Sequence, residues 1–334
     1  MLLTWLQFIL CAGVITFAGS RLTKYGDIIA EKTGLGRTWI GIVLLASVTS
    51  LPELFTGISS VWLFNVPDIA GGNAIGACML NMLTIALLDL LGGSTPVSAR
   101  AHQGHVLSAG YSILMLGVVG LGLVAGNSFG AIVWIGTYSF VLLGIYLIAM
   151  KTLYSYERRR VAEFVKEFEE EARYEGISKS EAYGWFAAHA FVIVAAAIYL
   201  PSIGEKIAHE TGLGETFVGS IFIALATTLP ELTVSLTAYR IGAVDMAVGN
   251  LFGSNLFNVN ILALDDVFYV AGPLLNYVSA NHLVSVIGNI SMTAVAVIGL
   301  TFRATRKRFF LSWDALAIAG IYVVTTFLLY RGDS

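Results

Sequence analysis

The chain has 334 residues, of which 57% are hydrophobic and only 12% charged, and its formal net charge is −3. Soluble domains carry about 25% charged residues, so this composition excludes an ordinary soluble domain and indicates a protein whose solvent is lipid. Two cysteines, Cys11 and Cys78, are too few and too far apart for a disulfide framework or a cysteine metal site.

Apolar stretches of about 20 residues, the length that spans a bilayer as a helix, recur along the whole chain. We predict an all-α polytopic membrane protein and no β-barrel, because no long segment alternates in polarity. The first stretch lacks a basic start and a small-residue cleavage site, so we expect a retained helix and not a signal peptide. The ten predicted spans are 3–19, 39–63, 69–91, 105–124, 128–150, 185–203, 216–240, 244–266, 281–300 and 311–330.

The basic residues fix an expected orientation. If the ten helices alternate, every Lys and Arg except Lys206 and Arg331 falls on one side of the membrane. Cytoplasmic loops carry the basic excess, so we predict that this side is inside and that both termini are outside.

Two halves of the chain resemble each other. Residues 27–54 read DIIAEKTGLGRTWIGIVLLASVTSLPEL, and residues 205–232 read EKIAHETGLGETFVGSIFIALATTLPEL. Downstream, GGNAIGACMLNML at 71–83 aligns with VGNLFGSNLFNVN at 248–260. Because each copy has five predicted helices, an odd number, the second copy enters the membrane from the opposite side. Such inverted repeats are typical of secondary transporters with a midplane site between the repeats.

The repeat sets the expected domain organisation. Residues 1–150 form the first five-helix repeat, 151–184 a cytoplasmic linker, and 185–334 the second repeat. Apolar residues recur at helical spacing in the linker, which predicts a short amphipathic helix. It is either a simple connection or a regulatory element, and it is too short for a folded sensor domain. The apolar residues are Val161, Phe164, Val165 and Phe168.

Glu53 and Glu231 occupy equivalent positions well inside the second and seventh spans. An ionisable group there costs about 2.5–3.5 kcal/mol on insertion scales and usually marks an ion pathway. Pro52 and Pro230 precede the two acids and should free the carbonyls four residues back, those of Val48 and Ala226. Hydroxyl and amide groups nearby complete an all-oxygen set, which hard cations such as calcium and sodium prefer. These groups belong to Thr49, Ser50, Thr227, Thr228, Asn81 and Asn258.

Two carboxylates neutralise one divalent or two monovalent cations, so a loaded site is uncharged. An uncharged site can switch its opening from one side of the low-dielectric membrane to the other at lower cost. The GN-x-x-G motif at 72–76 and 249–253 allows helix packing alone. Because it is repeated beside the duplicated Pro-Glu, we interpret it as part of the ion site.

These motifs resemble the sodium/calcium exchanger family, within the calcium/cation antiporter superfamily. They are S-x-T-S-L-P-E-L at 47–54, A-T-T-L-P-E-L at 226–232 and G-N-x-x-G-S-N-x-x-N at 249–258. The compact prokaryotic members are the most similar in organisation, so we expect an integral protein of a prokaryotic cell membrane. The resemblance covers nearly all of the transmembrane chain and implies exchange of calcium for sodium by alternating access.

The resemblance also implies residue roles. Glu53 and Glu231 would bridge calcium with main-chain oxygens near Thr49 and Thr227, and Asn81 and Asn258 would lie at the centre. Sodium would draw on Ser50, Thr228, Ser254 and the carbonyls of Ala46 and Ala224. This chain has Ala77 where members often have Ser, and Asn258 where some have Asp. The loss of a hydroxyl at Ala77 leaves the sodium stoichiometry open.

A proton-coupled antiporter of calcium or another cation is the alternative, since protons compete for two carboxylates buried together. The G-N-x-x-E pattern of the proton-coupled branch is missing. A membrane-embedded enzyme is a remote alternative, because the chain has no G-x-S-x-G or H-E-x-x-H motif. The chain also lacks the nucleotide-binding motif G-x-x-x-x-G-K-[ST], so we do not predict ATP-driven transport. We therefore predict a transporter that is not an enzyme, with no cofactor and no nucleic-acid partner; its partners are Ca²⁺, Na⁺ or H⁺ and the bilayer.

Asp89 and Asp266 form a further repeat-equivalent pair, eight residues after the paired Asn residues. They are either interfacial helix ends or a peripheral ion or proton site. His102 and His105 share a helix face but lie in a loop, which favours a surface role over a metal site.

Overall fold

The computed structural model describes residues 1–33, 49–164, 176–307 and 309–332. Within these ranges, nine helices are long and apolar enough to cross a membrane, and Leu51–Phe64 is a shorter apolar helix. The shorter helix is the end of the predicted second span, whose first part lies outside the described residues. A single small hairpin, Ala131–Ile132 with Ile135–Gly136, interrupts the helical fold of the described chain. The predicted all-α architecture is confirmed.

The nine long helices and the shorter helix Leu51–Ser59 of the described chain are numbered together in chain order. In the first half they are α1 (Leu2–Thr33), α2 (Leu51–Ser59), α3 (Pro67–Leu91), α4 (His105–Ala125) and α5 (Thr137–Phe164). In the second half they are α6 (Lys179–Thr211), α7 (Ala224–Arg240), α8 (Val244–Phe268), α9 (His282–Phe302) and α10 (Trp313–Gly332). Single π-helical turns, Ser60–Phe64 and Gly219–Ile223, follow α2 and precede α7.

The repeat is visible in the helix lengths and in their burial. The equivalent helices α3 and α8 each have 25 residues, and α4 and α9 each have 21. The most apolar windows of α3 and α8 are 78% and 83% buried, against 22% for α5. The pair α3 and α8 therefore forms the centre of the molecule, and α5 presents its apolar side chains to lipid.

The GN-x-x-G motif of α3 packs against the π-helical turn of the other repeat. A Cβ on Gly72 would lie 2.7 Å from the backbone nitrogen of Ser220, and a Cβ on Gly76 would lie 2.7 Å from the Ser220 carbonyl carbon. Only glycine permits this approach of two backbones. The motif thus brings the first repeat against the second at the level of Asn73, which lies between the two glycines and recurs as Asn250 in the second repeat.

Two equivalent His–Asp pairs join the repeats, one at each end of the helix bundle. His105 Nε2 at the start of α4 lies 3.1 Å from Asp245 Oδ1 at the start of α8. His282 Nε2 at the start of α9 lies 3.1 Å from Asp68 Oδ1 at the start of α3. In both pairs the Asp also accepts a backbone N–H three residues before the His, from His102 at 2.6 Å and from Ser279 at 2.5 Å. We call these two pairs the clasps.

The structure corrects some predicted boundaries. The fifth span begins at Thr137 and not at 128, because 126–136 form a 3₁₀ turn and the hairpin. The helix α7 runs through Pro230 without ending, and the irregular backbone lies two to three turns earlier, in the π-helical turn. The predicted linker begins as a continuation of α5 and ends as the start of α6. The side chains of its predicted apolar face lie outside those described.

Candidate cation site

The two repeat-equivalent glutamates lie at the centre of the bundle. Glu53 lies in the first turn of α2, and Glu231 lies in α7, and both side chains are fully buried. Pro52 and Pro230 are buried beside them. The wall of the site near Pro230 is α1, since a Cβ on Gly19 would lie only 2.6 Å from the Pro230 ring.

Each glutamate is held by a hydroxyl of the opposite repeat. Ser50 Oγ donates to Glu231 Oε1 at 2.8 Å, and Thr228 Oγ1 donates to Glu53 Oε1 at 3.1 Å. Ser50 and Thr228 are themselves repeat-equivalent, so the two hydrogen bonds are reciprocal. The arrangement draws both carboxylates to the interface between α2 and α7, as the repeat predicts for a shared site.

A second layer of hydrogen bonds connects this interface to α3. Asn73 Nδ2 donates to the backbone oxygen of Glu53 at 3.1 Å, and Thr227 Oγ1 donates to Asn73 Oδ1 at 2.9 Å. The Thr227 hydroxyl also lies 3.1 Å from the Ala224 carbonyl oxygen. The amide of Asn73 therefore fixes α2 and α7 to one another.

The amides of α3 and α8 meet on the other side of the site. Asn81 Nδ2 donates to Asn255 Oδ1 at 3.0 Å, and both side chains are fully buried. Ser254 and Asn258 are also fully buried on α8. Neither the Ser254 hydroxyl nor the Asn258 amide has a hydrogen-bond partner among the described residues.

Five buried oxygen atoms of these residues are left without hydrogen-bond partners in the described ranges. A buried polar atom without a partner costs about 1–3 kcal/mol, so these atoms are favourable only when something else binds them. Two carboxylate oxygens, two amide oxygens and a hydroxyl oxygen are a ligand set for a hard cation. The atoms are Glu53 Oε2, Glu231 Oε2, Asn81 Oδ1, Asn258 Oδ1 and Ser254 Oγ.

The remaining predicted ligands have different outcomes. Thr49 is buried next to Ser50. Ala224 is buried and packs with Ala77, the position where a serine hydroxyl was expected from the family pattern. Ala46 and Val48 lie outside the described residues, so their predicted carbonyl ligands stay predictions.

Three residues of this region received no separate role from the sequence. Asn73 was predicted only as part of the GN-x-x-G motif of the ion site, and Asn255 was only a member of the motif at 249–258. The repeat gave no signal for Asn255, because its counterpart is Cys78. Asp265 was overlooked because the repeat pairs its neighbour, Asp266, with Asp89.

Asp89 and Asp266 anchor loops at the two helix ends. Asp89 accepts backbone N–H groups from Val97 at 2.9 Å and Ser312 at 2.8 Å, and it forms an ion pair of 3.3 Å with Lys307. Asp266 binds Tyr138 and Ser139 side chains as well as backbone N–H groups. Of the two readings, these contacts favour structural helix ends.

The family profile described as sodium/calcium exchanger protein matches residues 3–152 and 181–331, which is nearly the whole chain. This chain belongs to the sodium/calcium exchanger protein family. It is therefore an integral membrane transporter of the calcium/cation antiporter class and not an enzyme. The match covers both repeats and omits the region that connects them.

Individual relatives agree with the family assignment. The chain is 25% identical to the inner membrane protein YrbG of Escherichia coli over 270 residues, 78% of each chain. It is 25% identical to the sodium/calcium exchanger MaX1 of Methanosarcina acetivorans over 346 residues, with 92% of this chain and 93% of the relative covered. The crystal structure of the H⁺/Ca²⁺ exchanger CAX has a TM-score of 0.73 at 14% identity, over 99% of this chain and 85% of that one. That likeness shows a shared fold with inverted repeats.

Proposed function

We propose that this family member exchanges Ca²⁺ for Na⁺ by alternating access at a site formed by Glu53 and Glu231. The observation that carries the proposal is the reciprocal pairing of each buried glutamate with a hydroxyl of the opposite repeat, at 2.8 and 3.1 Å. This pairing leaves one oxygen of each carboxylate, Glu53 Oε2 and Glu231 Oε2, without a partner in the described chain. One Ca²⁺ bridging these two oxygens would be fully neutralised.

Sodium would compete for the same region. Ser50, Thr228 and Ser254 supply hydroxyls beside the two acids, and Ala46 and Ala224 supply carbonyls. Binding of two Na⁺ ions neutralises the same two negative charges as one Ca²⁺. Ala77 removes one hydroxyl from the first repeat, so we expect fewer sodium ligands there than beside Ser254.

Coupling to protons is the second candidate. Two acids buried in one interface repel each other when both are ionised, so protons can take the place of sodium. The relative MaX1, named a sodium/calcium exchanger, is similar over nearly the whole chain and supports the sodium reading. We also propose that both termini lie outside a prokaryotic cell membrane, on the evidence of the basic loops.

The test is calcium uptake into proteoliposomes. Vesicles loaded with sodium or potassium receive radioactive Ca²⁺ outside at a fixed pH. We expect uptake only with internal sodium, and loss of uptake to the level of empty vesicles in Glu53→Gln and Glu231→Gln. The isosteric amides keep the hydrogen bonds but remove the charge that balances Ca²⁺. The control is the same substitution outside the site, Glu181→Gln at the start of α6. This variant should transport like the parent.

Each alternative predicts a different result. Uptake that ignores sodium but follows a pH gradient would replace the sodium reading with the proton-coupled one. Sodium-driven uptake that survives both Glu→Gln substitutions would place the ion site elsewhere.

A further inference from the structure

Asp265 is a buried acid that the cation site does not use. It lies in the last turn of α8, its side chain is fully buried, and neither carboxyl oxygen has a hydrogen-bond partner in the described ranges. Its neighbour Asp266 accepts four hydrogen bonds, from Gly136, Tyr138, Ser139 and Leu274. The two acids are adjacent at the same helix end but differ in hydrogen bonding. Asp266 accepts hydrogen bonds at both carboxyl oxygens, whereas Asp265 has no partner in the described ranges.

The carboxyl group of Asp265 lies against α2, on the same interface as the cation site. A Cβ on Gly57 would be 2.7 Å from Asp265 Oδ1, so the absence of a side chain at Gly57 creates the space for the acid. Gly57 is one helical turn beyond Glu53, about 6 Å along the α2 axis. Asp265 is seven residues, two turns, beyond Asn258 on one face of α8, about 10 Å along that axis. It therefore extends the polar row of the site towards the proposed outer face.

Three physical terms oppose a negative charge on Asp265. No donor compensates the lost hydration of a buried carboxylate. The C-terminal end of α8 carries the negative end of the helix dipole. The carboxylate of Asp266, which four donors stabilise, stands next to it. A calcium or sodium ion would need several further oxygen ligands around it. A proton needs no ligand shell.

No Lys, Arg or His of the described chain bonds to the Asp265 carboxyl group. The acids of α2 and α7 are Glu53 and Glu231, and Arg240 at the last residue of α7 lies beside the start of α8, about 30 Å along that helix from Asp265. Tyr138 of α5 and Tyr269, directly after α8, are the phenols at this end of the bundle. Asp68 at the start of α3 is bound to His282, the imidazole of one clasp. The groups on these elements at this end of the bundle are thus acids or phenols, and the His282 imidazole is engaged by Asp68.

We propose that Asp265 is a proton-binding site of the transport core. In the conformation described here the group is the neutral acid, and it releases its proton to water on the outer side when cations load the site at Glu53 and Glu231. A positive ion two turns away stabilises the aspartate anion, which links cation binding to proton release. The inference rests on the proposed cation site. The first repeat has Leu88 at the equivalent position, so the proton site exists on one side only.

The first experiment tests the protonated acid directly and does not require transport. Infrared spectra of purified protein without Ca²⁺ are compared for the parent, Asp265→Asn and Asp314→Asn. The control Asp314 is also buried and has one oxygen without a partner, but it lies in the first turn of α10, where the helix dipole stabilises an anion. We expect a carbonyl band of a neutral, buried carboxylic acid that disappears only in Asp265→Asn.

The second experiment measures the link to cations. Calcium is added to weakly buffered protein, and released protons are counted with an indicator dye. We expect Asp265→Asn and Asp265→Leu, which copies the first repeat, to release about one proton fewer per bound Ca²⁺ than the parent. Both variants should keep sodium-driven uptake and lose part of its dependence on outside pH.

The outcomes separate the two proposals. Unchanged infrared spectra and unchanged proton release in folded Asp265→Asn and Asp265→Leu overturn the proton site, whatever the transport result. If the carbonyl band is lost in Asp265→Asn but the parent binds no Ca²⁺, Asp265 is still a neutral acid. Its link to calcium is then overturned, together with the proposed function. An equal loss of the band in Asp314→Asn also contradicts the assignment.

Discussion

At the scale of single residues, the site depends on hydroxyl groups that cross between the repeats. Ser50 and Thr228 each donate to the glutamate of the other half, so each hydroxyl orients a carboxylate to which it is not close in sequence. The same two oxygen atoms are proposed sodium ligands. Their removal should therefore affect sodium more than calcium, because Ca²⁺ is held mainly by the two negative charges.

We expect Ser50→Ala and Thr228→Val each to raise the sodium concentration needed for half-maximal calcium uptake by about tenfold, since a hydrogen bond to a charged group contributes about 1.5–3 kcal/mol. Calcium dependence should change less. Uptake into proteoliposomes at graded internal sodium gives both values. Thr233→Val is the matched control, because among the described residues its hydroxyl donates only to the Leu229 carbonyl one turn back on α7. Equal sodium dependence in all three variants would assign the two hydroxyls a purely structural role.

Much of the site at this scale was predictable from the repeat. Duplication marked Glu53 and Glu231 and their hydroxyl neighbours, because an acid rarely recurs by chance at equivalent depths in two apolar helices. Which groups touch was not predictable, because a repeat relates equivalent residues and not residues in contact. The pairing of Asn81 with Asn255 and the isolation of Asp265 depend on the packing of α8 against α2 and α3, which sequence spacing does not specify.

At the scale of elements, the contact between α3 and the π-helical turn at Gly219–Ile223 holds the two repeats together. The backbone of Ser220 lies where a side chain on Gly72 or Gly76 would be. Such a close approach lets two helices of opposite repeats place Asn73 and Thr227 within hydrogen-bonding distance. The small residues are thus needed for the geometry of the polar groups between them.

We expect Gly76→Ala to lower the Tm of the purified protein, because the new methyl group forces the Ser220 backbone away and overpacking costs about 1–3 kcal/mol. Gly117→Ala on α4 is the matched control, since a Cβ there meets nothing within 4 Å. That variant should be as stable as the parent or slightly more so, because alanine favours a helix over glycine by about 1 kcal/mol. Thermal unfolding in detergent measures both. A Gly76→Ala variant as stable as Gly117→Ala would show that α3 and the turn can separate at no cost.

Element ends were harder to predict than element centres. Hydropathy located the spans, but α1, α5 and α6 continue past the apolar stretches, since a helix can leave the bilayer without ending. Residues 128–136 were predicted as the start of the fifth span because they include the apolar residues Val133 and Trp134. The positive φ of Gly130 and Val133 makes them a hairpin instead.

At the scale of the whole molecule, the two halves are interlocked and not merely adjacent. Four side-chain hydrogen bonds of the cation site, from those of the reciprocal hydroxyls to that of the pair Asn81 and Asn255, join one repeat to the other. Family membership and the shared fold with an exchanger of known structure agree with this architecture. The orientation of the chain in the membrane follows from the basic loops alone and is testable separately.

We expect a cysteine at Ser334 to react with a membrane-impermeant maleimide in intact cells, and a cysteine at Gly176 to react only after permeabilisation. Both substitutions are made in a background with Cys11→Ala and Cys78→Ala, the two natural cysteines. The reverse labelling pattern would invert the predicted topology. Labelling of both positions from outside would mean that the number of spans between them was counted wrongly.

The clasps have a consequence for the symmetry of the chain. His105 binds Asp245 of the second repeat, and His282 binds Asp68 of the first, at the same distance and with the same accompanying N–H group. In an isologous dimer, residue i of one subunit contacts residue j of the other, and j contacts i, about a two-fold axis. The clasps obey this rule within one polypeptide. Two identical five-helix subunits, inserted antiparallel, would form both clasps from a single His and a single Asp, so the clasps have the symmetry of a homodimer interface inside one chain.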